Sequence, residues 1–114
     1  MAKLTTHILD TSSGKPASGV KINLYRKENQ NSVHIKTVQT NSDGRCDEAL
    51  LAGQDFIVGC YELEFAVDQY FKANRVDSPF LRDVVVRFYI TEKNENYHVP
   101  LLISPFSYST YRGS

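Results

Sequence analysis

Three histidines, an arginine directly after a turn, and the closing run Tyr111-Arg112-Gly113-Ser114 are the residues of this 114-residue chain that could do chemistry. A histidine near its ordinary pKa of ~6.5 takes or gives a proton at neutral pH, so His7, His34 and His98 are the candidate proton carriers. Arg45 ends the run Thr40-Asn41-Ser42-Asp43-Gly44-Arg45, where a turn finishes and a strand could begin. Its guanidinium offers paired donors to an amide or anionic oxygen and stays charged at any working pH. Taken alone, the same arginine also reads as a solvated turn residue. The end of a chain is normally the least constrained part of a domain. One that keeps a phenol, a guanidinium, a glycine and a hydroxyl together therefore asks for a reason.

Strands must position these groups, because the dominant period of the sequence is two. Val20, Ile22 and Leu24 alternate with Lys21, Asn23 and Tyr25, and Val33, Ile35 and Thr37 with His34 and Lys36. Tyr61, Leu63, Phe65 and Val67 alternate with Glu62, Glu64 and Ala66, and Val84, Val86, Phe88 and Ile90 with Val85, Arg87 and Tyr89. Tyr97, Val99, Leu101 and Ile103 follow, and residues 107–112 read as a last strand. Turn signals separate them at Ser12-Ser13-Gly14-Lys15-Pro16, Asn41-Ser42-Asp43-Gly44, Ser78-Pro79 and Lys93-Asn94-Glu95-Asn96. Only Val67, Tyr70, Phe71 and Asn74 fall at helical spacing, which predicts one short helix over 67–74. The pattern is that of an all-β sandwich with a single short helix, one domain over residues 1–114.

Alternation also assigns faces. Leu4, Thr6 and Ile8 share one face of the first strand, and Thr5, His7 and Leu9 the other. In the late strand the apolar stripe runs through Tyr97, Val99, Leu101 and Ile103, so His98, Pro100 and Leu102 point the opposite way. If the stripes face the core, His7 and His98 both lie on an outer sheet face. Two solvated histidines would look the same. A face that mixes them with Leu9, Leu102 and Pro100, however, has the composition of a subunit interface or a ligand floor. Pro100 brings no ladder donor, which suits an edge, a bulge or a strand start. His34 sits beside Lys36 on the polar side of its strand and reads as solvated, with no role.

Composition excludes several function classes. Lys+Arg and Asp+Glu both number 13, so the formal net charge is zero and no nucleic-acid footprint is expected. No apolar run approaches the ~20 residues of a membrane span, and the start runs into a strand pattern with no signal-peptide stretch. Cys46 and Cys60 lack metal-site spacing; they read as reduced, packed thiols and not as nucleophiles. The acidic residues form no pair across a cleft, the glycines build no phosphate loop, and no nucleophile elbow surrounds the serines near 104–109.

Three segments, in this order, carry a resemblance: Leu4-Thr5-Thr6-His7-Ile8-Leu9-Asp10, Tyr97-His98-Val99-Pro100-Leu101-Leu102, and the terminal Tyr111-Arg112-Gly113-Ser114. Together they resemble the transthyretin-like 5-hydroxyisourate hydrolases, over nearly the whole chain. The resemblance implies a transthyretin-like two-sheet β-sandwich with one short helix, and hydrolysis of 5-hydroxyisourate in urate breakdown. It implies catalytic roles for His7, Arg45 and His98, with Arg45 on a strand of the histidine sheet. Tyr111 and Ser114 become substrate-binding groups, and Arg112 structural. Only His7 and His98 match its motif positions, too few for zinc, so neither metal nor cofactor is expected. It further implies a homotetramer, a dimer of dimers with sites in the channel between dimers, and the lack of a Ser-Lys-Leu type ending and of an export signal leads us to expect the cytoplasm. Gly113 and Ser114 are expected to be free to turn toward the histidine face, since glycine tolerates the angles such a turn needs. The alternative is a transthyretin-like carrier of small ligands; transthyretin itself lacks the two histidines and the terminal tetrapeptide. A purely structural sandwich would leave His7, Arg45, His98 and the tail without a purpose.

Overall fold

The structure, a computed structural model, describes residues 2–114. Its elements are β1 (Lys3–Asp10), β2 (Lys15–Pro16), β3 (Lys21–Glu28), β4 (Asn31–Gln39), β5 (Leu51–Ala52), β6 (Gly59–Ala66), α1 (Val67–Ala73), β7 (Asp83–Ile90), β8 (Tyr97–Ile103) and β9 (Tyr108–Thr110). They form two sheets. One runs β2-β1-β8-β9, with β5 also pairing to β1, and the other runs β4-β3-β6-β7. The β1–β8 pair is parallel, in register from Leu4 opposite Tyr97 to Asp10 opposite Ile103.

The period-two stripes close the core between the sheets. Leu4, Ile8, Leu101 and Ile103 from one sheet are fully buried, as are Ile22, Leu24, Tyr61, Leu63 and Phe65 from the other. Burying side chains of this size stabilises by about 1.5–3 kcal/mol each. Val67, Tyr70 and Phe71 turn inward from α1, as their spacing predicts. The Tyr70 hydroxyl donates to Asp10 Oδ2 at 2.8 Å and fastens the helix to β1. Burial alone would raise the Asp10 carboxyl, but hydrogen bonds from Ser12 and Tyr70 hold it below the usual range. Burial and the same bond push Tyr70 up to about 12.

Strand β4 departs from simple alternation. A bulge shifts its register between Leu24 and Tyr25 of β3, so that His34 lies across from Tyr25 and Lys36 across from Leu24. Leu24 faces the core and Tyr25 faces out. His34 and Lys36 therefore do not share a polar side, because one extra residue in a bulged strand exchanges faces beyond it. Val33, on this edge strand, stays 43% exposed. Cys46 and Cys60 are both unbridged and partly buried, with Cys46 packed against the core.

Candidate active site

The outer face of the five-stranded sheet is a grid that its registers define. Along β1, Lys3, Thr5, His7 and Leu9 point outward, since Leu4, Thr6 and Ile8 are buried. Along β8 the outward residues are His98, Pro100 and Leu102. Pairing places Thr5 beside His98, His7 beside Pro100, and Leu9 beside Leu102. On the other side of β1, Arg45 makes an antiparallel bridge to His7, and beyond β8, Gly113 makes one to His98. Arg45 thus belongs to the histidine sheet, though through a single bridge and not within a strand. Directly opposite residues of an antiparallel pair have Cβ atoms ~4.5–5.5 Å apart, so Arg45 and His7 are immediate neighbours.

The turn before Arg45 is built to deliver it. Asn41 Oδ1 accepts from the amides of Asp43 at 2.9 Å and Arg45 at 3.2 Å, and the Asn41 amide donates to the Arg45 carbonyl at 2.7 Å. Gly44 has φ +74°, and a Cβ there would lie 2.5 Å from the Ile8 carbonyl oxygen. The Gly44 carbonyl accepts from the Ile8 amide at 2.9 Å, which ties the turn to β1 beside His7. A side chain at residue 44 would lever Arg45 away. The sequence reading took Asn41 only as part of a turn signal, although Asn at the head of Asn-Ser-Asp-Gly is the signature of an Asx turn that aims the residue after it.

The chain end follows β8 in register instead of swinging free. β9 pairs Leu101 with Thr110, and the same register carries on to the His98–Gly113 bridge, with the Gly113 amide donating to the His98 carbonyl at 2.8 Å. The expected strand over 107–112 is formed only as Tyr108–Thr110. Tyr111 then lies abreast of Pro100, which has no amide hydrogen to continue the ladder. Glycine is required at 113 for space and not for backbone freedom. A Cβ there would sit 2.7 Å from His98 Cδ2 and 3.2 Å from Pro100 Cγ. Arg112 points to the other side. Its Nη2 donates to Glu95 Oε1 at 2.9 Å and to the Asn96 carbonyl at 3.0 Å, and its guanidinium lies 4.1 Å from the Tyr97 ring centre. It fastens the tail.

An open cavity of about 320 Å³ is lined by Lys3, Thr5, Arg45, Asn96, His98 and Ser114. The structure thus brings Arg45, His98 and Ser114 to one cavity. His7 stands next to Arg45 in the grid but is not among the lining residues, and Tyr111 is 61% exposed beside them. Lys3, Thr5 and Asn96 were not foreseen as cavity residues. The outward position of Lys3 and Thr5 on the strand that carries His7 was the signal available. His34 lies on the opposite sheet, where its Nε2 meets Thr37 Oγ1 at 2.8 Å.

Electrostatics favours neutral imidazoles. Burial lowers the pKa of His7, and the Arg45 charge lowers it further, while the Asp43 carbonyl and carboxylate pull the other way. Burial, then Arg45, then His7 lower His98, and Thr5 partly opposes them. Both rings are therefore unprotonated at neutral pH, free to accept a proton beside a permanent cation. Among the described residues no ion pair engages Arg45, and no group of three His, Cys, Asp or Glu side chains could hold a metal ion. Burial raises the Cys46 thiol, which leaves it a poor nucleophile. The arrangement suits addition of water to an activated carbonyl.

A half-buried outer sheet face joining two histidines, an arginine and a chain end defines a sandwich with a built polar site. Comparison with known proteins places it. The HIUase/Transthyretin family matches residues 4–113, and the chain belongs to that family. It is 53% identical to a 5-hydroxyisourate hydrolase of Pseudomonas aeruginosa over an alignment 117 positions long, covering 100% of this chain and 93% of that one. Among solved structures it is similar to Klebsiella pneumoniae 5-hydroxyisourate hydrolase, at 35% identity and TM-score 0.85 over 100% of both chains. It is also similar to sea bream transthyretin in complex with thyroxine, at 31% identity and TM-score 0.90 over 98% of this chain and 95% of that one. The fold is accordingly the transthyretin-like two-sheet sandwich with one short helix.

Proposed function

We propose that this protein is a cofactor-free hydrolase of 5-hydroxyisourate, opening its ring to 2-oxo-4-hydroxy-4-carboxy-5-ureidoimidazoline in urate degradation. The hydrolase names of relatives at this identity support the substrate. The observation that carries the chemistry is one cavity lined by a neutral His98, an unpaired Arg45 and Ser114. His98 takes a proton from water as the water oxygen bonds to the ring carbonyl carbon. Arg45 holds the oxyanion that forms there. The carbon–nitrogen bond then breaks, and the imidazolium returns the proton to the leaving nitrogen. His7, beside Arg45, completes the catalytic set, and once protonated on acidification it opposes a second charge on His98. The Tyr111 and Ser114 hydroxyls hydrogen-bond the polar ring of the substrate.

A face this open exposes Arg45 to water, which weakens its hold on an oxyanion. Half-buried Leu9 and Leu102 on the same face, and the outermost strands β7 and β9 with unpaired edges, support assembly as a dimer of dimers with sites in a channel. The cytoplasm is the compartment we assign to it. The carrier reading draws on the likeness to thyroxine-bound transthyretin. One assay separates the two: ultraviolet decay of freshly generated 5-hydroxyisourate with and without protein, alongside light scattering. Accelerated decay by a tetramer is expected. Saturable binding without turnover would favour the carrier, and a fully active monomer would remove the assembly.

A further inference from the structure

Thr5 touches the proposed base yet has no part in the reaction as drawn. Its Oγ1 lies 2.8 Å from His98 Nδ1, a contact between residues 93 apart in sequence that the parallel β1–β8 register creates. The ring is held on both flanks. Nδ1 faces Thr5 on β1, and the Cδ2 edge lies against Gly113 on the tail side, where not even a methyl group fits. Nε2 is left to face the cavity that His98 lines.

A hydroxyl can donate or accept, so distance alone does not say where the proton of a neutral imidazole resides. The surroundings decide it. Nδ1 meets the Thr5 hydroxyl at 2.8 Å, whereas His98 lines an open cavity on its other side, where water can take either part. A proton on Nδ1 is donated to Thr5 Oγ1, which leaves the Nε2 lone pair to accept from water. The Thr5 hydroxyl hydrogen is then free to point into the cavity that Thr5 also lines.

We infer that Thr5 is a positioning residue that holds the proton of neutral His98 on Nδ1, so that Nε2 presents its lone pair to water in the cavity. The functional consequence rests on the reading of His98 as the base. A histidine with the wrong tautomer cannot serve as one, however well placed its ring.

The test compares wild type with Thr5→Val, which keeps size and β-branching, and Thr5→Ser, which keeps the hydroxyl. Nitrogen-15 NMR of the free full-length protein, at a pH where the imidazoles are neutral, reports which ring nitrogen carries the proton. Wild type and T5S should show His98 protonated on Nδ1, and T5V a mixture of tautomers. His34 supplies a reference in the same spectra. Its Nε2 meets a Thr37 hydroxyl that already donates to Asn23, so it must carry the proton on Nε2. With 5-hydroxyisourate, kcat of T5V should fall about 10-fold or more with KM nearly unchanged, and T5S should restore it. A wild-type His98 protonated on Nε2, a T5V spectrum like that of wild type, or a T5V tautomer mixture with undiminished kcat would each overturn the inference. A wild type protonated on Nδ1 that does not turn over 5-hydroxyisourate would instead sink the substrate and leave the tautomer assignment standing.

Discussion

The two outer faces of this sandwich use the same kinds of residue to opposite ends. On the four-stranded sheet the polar groups satisfy one another. Asn23 Nδ2 donates to Glu64 at 3.0 Å, Thr37 donates to Asn23 at 2.6 Å, His34 meets Thr37 at 2.8 Å, and Arg87 pairs with Glu62 at 2.8 Å. On the five-stranded sheet Arg45 has no carboxylate partner among the described residues, and His7 and His98 are held neutral beside it. Both faces carry a histidine in contact with a threonine at 2.8 Å. One face has spent its hydrogen-bonding capacity internally, while the other leaves the Arg45 guanidinium without a carboxylate among the described residues. Polar residues on a strand thus mark a site only when their neighbours leave them unpaired.

The largest effects should follow from cutting the Arg45 face. His98→Asn and His7→Asn should each lower kcat/KM by roughly 10²-fold, the scale of losing a general base, while His34→Asn changes little. Steady-state hydrolysis of the three variants measures this. Equal losses at all three would mean that the histidines act through folding, and the contrast between faces would collapse. Next in size is Gly113→Ala. The added methyl has to displace the His98 ring, and a misplacement approaching 1 Å costs up to ~10²-fold. Activity should therefore fall at least tenfold with circular dichroism unchanged. Full activity would show that the ring tolerates movement.

A subtler break concerns charge. Arg45 helps hold both site histidines below their ordinary pKa, so Arg45→Met should let both rise. The residual activity, which needs the neutral base, should then fail at a higher pH on acidification than in wild type. Histidine titration by NMR checks the same shift without substrate. Stability carries the matching sign. The unfolded chain takes up these protons first, near pH ~6.5, so wild type loses stability as pH drops from there through the lowered folded values. R45M should narrow that window. An unmoved acid limb and unmoved titrations would show that solvent screens Arg45 too well for it to matter.

Much of this was legible in the chain because period two is a strong signal. The faces of Leu4, Thr6 and Ile8 against Thr5, His7 and Leu9, the outward turn of His98, and the helix around Tyr70 and Phe71 all followed from spacing. The β4 bulge did not, because nothing local in Val33-His34-Ile35-Lys36 announces an extra residue; the partner strand imposes it. The tail stood out in the sequence, but its glycine was read for backbone freedom and not for space. The need for space at Gly113 comes from the His98 ring, which only the β8–β9 register brings there. Thr5 was invisible as a support because its contact depends on a pairing no periodicity reveals, whereas the Asx turn of Asn41 is local and lay within the turn signal. Three side chains that could do chemistry were readable, and the groups that aim them were not.

The smallest expected effect is also the sharpest comparison. Thr37→Val removes from the self-satisfied face the same contact that Thr5→Val removes from the Arg45 face. Thr37 is both acceptor from His34 and donor to Asn23, so its loss unpairs two groups. All three lie on a wet surface where water can take the vacated bonds, so the cost should not exceed about 1 kcal/mol. The midpoint of a urea transition should move slightly, with its slope unchanged. The kcat/KM for 5-hydroxyisourate should stay at the wild-type value, because no strand connects this face to the cavity except through the packed core. If T37V lost turnover as T5V is expected to, the threonine–histidine contact would matter by steadying a sheet wherever it occurs. The special standing of Thr5 would then vanish, even with its tautomer assignment intact.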